Sequence, residues 1–253
     1  VSYCCIDSEA GHDAFLLENE VGQYGSITSS FLKKISGSLE EQKAKKSTLT
    51  STNIFFDNRL DLNFISGLVS KGDRVLDLGC EDGTLLRELR KKSCSKLLGI
   101  EIDPKKVIDS FETGIEIINS DINIGLNRFN NDQFDVTILS QTLQSIKNVE
   151  KTIQQILRIS KKAIISFPNF AFKPLREMLF RQGKAPKLEG LYGYNWYNTP
   201  NRRFPTIADF EEFCNEQNIL VKESFFIDTE NKEFIKEDPN LNADTAIFVL
   251  SKN

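Results

Sequence analysis

The sequence predicts an α/β protein built on a doubly wound, mostly parallel sheet. Three observations predict it. From about residue 54 onward, short apolar runs alternate with stretches of helical periodicity. The runs are too apolar for one solvated face, as in strands covered on both sides. The first run ends in a glycine turn that leads directly into a helix, the βα unit of such folds. Right-handed crossovers between these units give a Rossmann-like sheet.

The elements follow in order. Residues 73–79, DRVLDLG, form a strand stopped by Gly79, and residues 83–92 carry apolar positions at helical spacing. Residues 96–103, KLLGIEID, are a second strand, and Pro104 stands where a helix can begin. Residues 115–121 and 133–141 are the third and fourth strands. Residues 149–160 are helical and lead into a fifth strand at 161–168. A helix at 206–217 precedes two more strand-like runs, 219–227 and 245–251. No clear helix separates that last pair, so an antiparallel hairpin at one sheet edge is expected.

Ahead of this zone lie two others. Residues 1–35 hold a strand-like run and an amphipathic stretch, and residues 36–53 are a polar linker rich in Ser, Thr and Lys. Residues 54–253 are then the main domain.

Composition narrows the function. The chain has 253 residues, 40% hydrophobic and 27% charged, which is an ordinary globular balance. No apolar run approaches the roughly 18 residues of a membrane helix. A net charge of −4 argues against a broad nucleic-acid surface. One histidine, His12, excludes any multi-histidine metal site, and no metal is expected. The five cysteines (Cys4, Cys5, Cys80, Cys94 and Cys214) form no CxxC pair and fit reduced thiols in a cytoplasmic protein.

The candidate site lies at the carboxyl ends of the strands. Gly79 permits the tight turn of VLDLGCEDGTLL, and Gly83 permits close packing of helix on strand. Glu101 closes the second strand, where a carboxylate can accept both hydroxyl hydrogens of a ribose. Asp121 closes the third and is placed to face an adenine amino group. Ser140, Gln141, Thr142 and Gln144 follow the fourth, and Asn169 follows the fifth. Tyr192, Tyr194, Trp196 and Tyr197 are candidates for a lid, a partner surface or packing over the rim. Cys80 sits inside the turn, as a small buried residue or as part of the ligand wall.

The set Asp77, Gly79, Gly83, Glu101 and Asp121 resembles class I S-adenosylmethionine-dependent methyltransferases. The resemblance implies S-adenosylmethionine as cofactor, held by Asp77, Gly79, Cys80, Gly83, Glu101, Ile102, Asp121, Ser140 and Gln141. The middle glycine of that family's turn is here Glu81, which places a side chain at the cofactor's rim.

VLDLGCEDG, GIEIDPKKV, FDVTILSQTLQSI, AIISFPNF and YNWYNTPNRRFPTIADFEEFC together resemble the MetW family of methionine biosynthesis. That resemblance implies a methyltransferase fold and a role in supporting homoserine O-acyltransferase. Where the family often carries Asn-Ile-His after a Thr-Pro pair, this chain reads Asn201-Arg202-Arg203. Arginine cannot serve as a base at physiological pH, which favours a binding or regulatory role over methyl transfer. The alternative is a methyltransferase acting on a small molecule.

The first zone resembles a different family. SYCCIDSEAGHDAFLLE is similar to the carboxyl end of homoserine O-acetyltransferase, an α/β-hydrolase-fold enzyme. The resemblance makes His12 the histidine of a Ser-Asp-His triad and the chain the end of an acyltransferase–MetW fusion, with the acyltransferase domain as partner. The nucleophile and its acidic partner then lie upstream, so no acyl transfer by this chain alone is expected.

Overall fold

A computed structural model describes residues 59–110, 114–187 and 194–252. The acyltransferase-like segment with His12, Cys4 and Cys5, the linker, and Tyr192 lie outside the described residues. The elements in chain order are α1 (Leu60–Gly67), β1 (Arg74–Leu78), α2 (Thr84–Lys91), β2 (Lys96–Glu101), α3 (Pro104–Ser110), β3 (Glu116–Asn119) and α4 (Ile122–Gly125). They continue with β4 (Phe134–Ser140), α5 (Val149–Ile159), β5 (Ser160–Pro168), α6 (Lys173–Gln182), α7 (Ile207–Glu216), β6 (Leu220–Asp228), β7 (Glu233–Phe234), α8 (Pro239–Asn242) and β8 (Thr245–Ser251).

Among the described residues one sheet holds the strands in the order β3-β2-β1-β4-β5-β8-β6-β7. Strands β1 to β5 pair in parallel, and β8 runs antiparallel to both β5 and β6. Successive side chains of a strand point to opposite faces, so the apolar runs feed two cores. Leu76, Leu78, Ile100, Ile165 and Phe167 pack on one face with α5 and α7. Val75, Ile117, Val136, Ile138 and Ile164 pack on the other with α1, α2 and α3.

The helix starts are readable in the residues that begin them. The Asn148 side chain accepts a bond from the Lys151 N–H at the start of α5. Thr206 accepts one from the Asp209 N–H and donates to the Asp209 carboxylate, a reciprocal cap on α7. Helix α6, which the pattern left unassigned, has Pro174 in its first turn and Gly183 at φ +62° after its last.

The expected edge hairpin is different in kind. Strands β6 and β8 are antiparallel neighbours, but β8 lies between β5 and β6 and so within the sheet. The physical reason is composition. β8 is apolar over nearly its whole length and buried on both faces, whereas β6 carries Lys222, Glu223 and Ser224 exposed. The strand that cannot meet water takes the interior position.

Candidate functional site

The carboxyl ends of β1, β2 and β4 open onto a cleft of about 1060 Å³. Because β8 is antiparallel, its first end reaches the same rim, and Asp244 joins the wall there with Thr229 from the end of β6. The cleft spans the point between β1 and β4 where the strand order reverses, the usual ligand position in open α/β sheets.

Gly79 stands at φ +72°, and a Cβ on it would lie 2.6 Å from Thr142 Oγ1. Only glycine fits both that conformation and that approach. Glu81 occupies the next left-handed position at φ +51°, which costs a non-glycine residue about 1–2 kcal/mol. Its side chain turns to Lys106, 2.8 Å away, and remains 65% exposed. Its N–H donates to Glu101 Oε2 at 2.9 Å. The Asp103 N–H donates to Glu101 Oε1, also at 2.9 Å. Glu101 is therefore buried and fixed, with one further lone pair on each oxygen.

Asp77 lies beneath this turn, 3% exposed. Burial, and then the nearby carboxylates of Glu101 and Glu81, push its carboxyl up to about 7. After β4, Gln141 takes φ +49° and donates its N–H to Ser166 O at 2.9 Å. Gln144 donates its Nε2 to Gln141 O at 2.7 Å. Its backbone oxygen accepts the N–H groups of both Arg202 and Arg203, and the Arg203 guanidinium donates to the backbone oxygens of Ile146 and Lys147. The arginine pair thus clasps the loop after residue 194 to the segment after β4.

The whole of this matched region is similar to known proteins. The family model described as "Methionine biosynthesis protein MetW" matches residues 59–250.

The chain belongs to the MetW family.

A relative in Rhodopirellula baltica, a bifunctional methionine biosynthesis protein MetXA/MetW, is 37% identical over the whole of this chain. The chain spans 40% of that relative's length. Among solved structures, an S-adenosylmethionine-dependent methyltransferase from Mesorhizobium loti aligns with a TM-score of 0.58 at 13% identity, covering 77% of this chain and 98% of its own. One from Thermotoga maritima, described as a possible histamine N-methyltransferase, gives 0.57 at 13% identity over 78% of this chain and 90% of its own. The fold is that of class I S-adenosylmethionine-dependent methyltransferases.

The residues predicted for the site of this MetW domain divide in two. Gly79, Glu101, Ile102, Asp121 and Gln141 line the cleft. Asp77, Cys80, Gly83 and Ser140 stand behind its wall. Gly83 caps α2 at φ +77°. Ser140 Oγ accepts a bond from Ser166 Oγ between β4 and β5. Cys80 is buried against Gly99, and burial raises its thiol pKa, so it is a packing residue. Asp121 does not close β3 but caps α4, its Oδ1 accepting from Asn123 N and Nδ2.

Asn169 is 0% exposed and clamps chain segments: its Nδ2 donates to the backbone oxygens of Asn240 and Ala243. Of the aromatic residues, Tyr194 lines the cleft. Trp196 and Tyr197 pack edge-on against each other and are mostly exposed.

Sequence reasoning missed Arg59, Asp61, Phe172, Thr229 and Asp244, all in the cleft wall. Asp61 is buried and held by a bidentate bridge from Arg59, both contacts at 2.9 Å. No local pattern marks these residues, because tertiary packing alone brings them to the rim. Among the described residues no helix is long and apolar enough to cross a membrane, and no group of three His, Cys, Asp or Glu side chains is placed to hold a metal.

Proposed function

We propose that this MetW domain binds S-adenosylmethionine in the cleft and acts as partner or regulator of a homoserine O-acyltransferase in methionine biosynthesis. Residues 1–35 are, in this reading, the carboxyl end of that enzyme, with His12 its triad histidine, and the protein is cytoplasmic.

The observation that carries the cofactor reading is Glu101. It is held at the end of β2 by two backbone N–H groups and keeps one lone pair per oxygen for a pair of ribose hydroxyls. Ile102, 64% exposed beside it, offers an apolar face to a base. Gly79 lets the turn approach Thr142 at the cleft wall, where any Cβ would strike that side chain. When bound, the cofactor supplies an electrophilic methyl group on a sulfonium, a cation that suits the acidic wall of Glu101, Asp121 and Asp244. Asp77 adds negative charge from beneath.

Support for the partner reading comes from the relative in which MetXA and MetW form one polypeptide. Covalent linkage of two modules raises their effective concentration. Because S-adenosylmethionine is made from methionine, its binding here would report pathway output to an early enzyme.

Titration calorimetry with S-adenosylmethionine tests the cofactor reading. Glu101→Gln is expected to raise Kd by about 10- to 100-fold, the effect of losing hydrogen bonds to a charged acceptor, while cooperative unfolding persists. Equal affinity in variant and wild type would remove Glu101 from the site. For the partner reading, acyl transfer to homoserine by a complete acyltransferase is measured with and without this chain, and with and without cofactor. Unchanged rates in all four mixtures would overturn it.

The size of the cleft favours one second reading, a methyltransferase acting on a small molecule. Transfer of a labelled methyl group to a component of a cell extract is the result that would select it.

A further inference from the structure

The cleft has two halves, one on each side of the β1–β4 switch. Gly79, Glu101, Ile102 and Asp121 line the half over β1, β2 and β3. The other half lies over β4, β5, β8 and β6 and is lined by Gln141, Gln144, Tyr194, Thr229 and Asp244. At about 1060 Å³ the whole lies at the top of the usual range of ligand clefts, roughly 300–1,000 Å³.

The second half carries polar atoms that the protein does not satisfy. Gln144 is 8% exposed, and its Oε1 is buried with no hydrogen-bond partner. Both carboxamide atoms of Gln141 are buried and unpartnered as well. The two side chains are neighbours, since Gln144 Nε2 donates to Gln141 O. An unsatisfied buried polar atom costs about 1–3 kcal/mol, so such a group calls for an explanation. A bound ligand supplies the missing partners.

The charge of the wall says which ligand. Asp244 is 6% exposed, with Oδ2 accepting from Thr229 N at 3.0 Å and from Thr229 Oγ1. Glu230 stands beside Thr229. The two basic residues of the cleft wall, Arg59 and Lys106, are held by Asp61 and Glu81. Unsatisfied acceptors and carboxylates attract a cationic hydrogen-bond donor and repel phosphates and carboxylic acids lacking an amino group.

We propose that the second half of the cleft binds a small ligand through its primary ammonium group, held by Gln144 Oε1 with the carboxylate of Asp244 beside it, while Gln141 Nε2 donates to an acceptor on the same ligand. An α-amino acid and a simple amine share this chemistry. The proposal deepens the cofactor reading and rests on it for the assignment of the first half.

The test is calorimetry on the 253-residue chain, alone and saturated with S-adenosylhomocysteine. The probes are the twenty proteinogenic L-amino acids, L-homoserine, the amines formed from them by loss of the carboxyl group, and hydroxy acids with OH in place of the amino group. Amine-bearing probes are expected to bind the saturated chain, and the matching hydroxy acids at least about tenfold more weakly. Binding by amino acids but not amines identifies an amino acid as the source, and the reverse identifies an amine.

Gln144→Leu is expected to weaken the amine-bearing probe by about tenfold or more; it removes an unsatisfied buried atom together with the bond to Gln141 O, so Tm is read alongside to separate lost binding from lost folding. Gln141→Met is the second variant should the first not fold. Absence of binding by the whole panel, binding only in competition with S-adenosylhomocysteine, or no effect of either substitution would overturn the proposal. Failure of the cofactor to bind, with a Gln144-dependent amine still bound, would instead sink the cofactor reading and leave this site standing.

Discussion

Asp77→Asn is expected to make the ligand-free protein more stable at pH 8 and to flatten its stability between pH 5 and pH 8. The carboxyl is buried in β1, and burial together with Glu101 and Glu81 raises it to about 7 from an ordinary 3.8. Between those values the native state binds a proton that the unfolded state has released. Stability is therefore full below about pH 4 for this group and is lost as pH rises through about 7. A shift of about three pKa units corresponds to about 4 kcal/mol at the limit. Asparagine has the same shape and no charge to desolvate, so urea denaturation at pH 8 should give the variant an advantage of about 2–4 kcal/mol, vanishing near pH 4. A variant less stable than wild type at pH 8 would show that the ionised carboxylate is compensated by its surroundings. The same substitution should weaken S-adenosylmethionine binding, since a cationic ligand above the turn favours the ionised form. Cofactor affinity should accordingly rise with pH through about 7 in the wild type and not in the variant. Stability given up in the free protein would then be the cost of a charge held ready for the ligand.

Gly99→Ala should be the most damaging single methyl in the domain. Gly99 pairs with Asp77 in register at the centre of the sheet. A Cβ there would fall 2.4 Å from Cys80 Sγ, 3.0 Å from Ile117 Cγ1 and 3.2 Å from Cys80 Cβ. Cys80 cannot retreat easily, because its N–H is bonded to Ile100 O on the same neighbouring strand. Overpacking of a tight core costs about 1–3 kcal/mol, and about 3 is expected here. The displaced turn also carries Gly79 and Glu81, so cofactor affinity should fall with stability. Adding Cys80→Ala removes the sulfur and should recover about 1 kcal/mol or more, a coupling that denaturant titration of the four proteins measures. Additive losses would mean that the strands, and not the thiol, absorb the extra carbon.

These two residues show what kind of information sequence carries. Gly79 and Gly83 are legible because a strand, a turn and a helix follow one another within a dozen residues. Gly99 is not, since its contact with Cys80 crosses from one strand to the turn after another. Glu101 is legible by its place at the end of β2, yet the two N–H groups that hold it are not. Asp121 was expected at a strand end and caps a helix instead, because β3 stops at Asn119. Asn169 reads as a ligand contact at the rim but is consumed by backbone oxygens of Asn240 and Ala243, more than 70 residues onward. Arg202 and Arg203 read as a departure from the family's Asn-Ile-His, whereas in the fold Arg203 clasps the segment after β4.

The sequence by itself determined the strand–helix alternation, the glycine turn, the acidic residue at the end of β2 and the membership of the MetW family. Each of these is written in residues close together in the chain, where periodicity and turn chemistry act. Only the tertiary structure decided the interior position of β8, the burial of Asp77, the packing of Cys80 against Gly99 and the second half of the cleft. Gln144, Thr229 and Asp244 line that cleft from distant parts of the chain. Their proximity comes from how strands are ordered in the sheet, which the burial of whole apolar faces selects and no local pattern encodes.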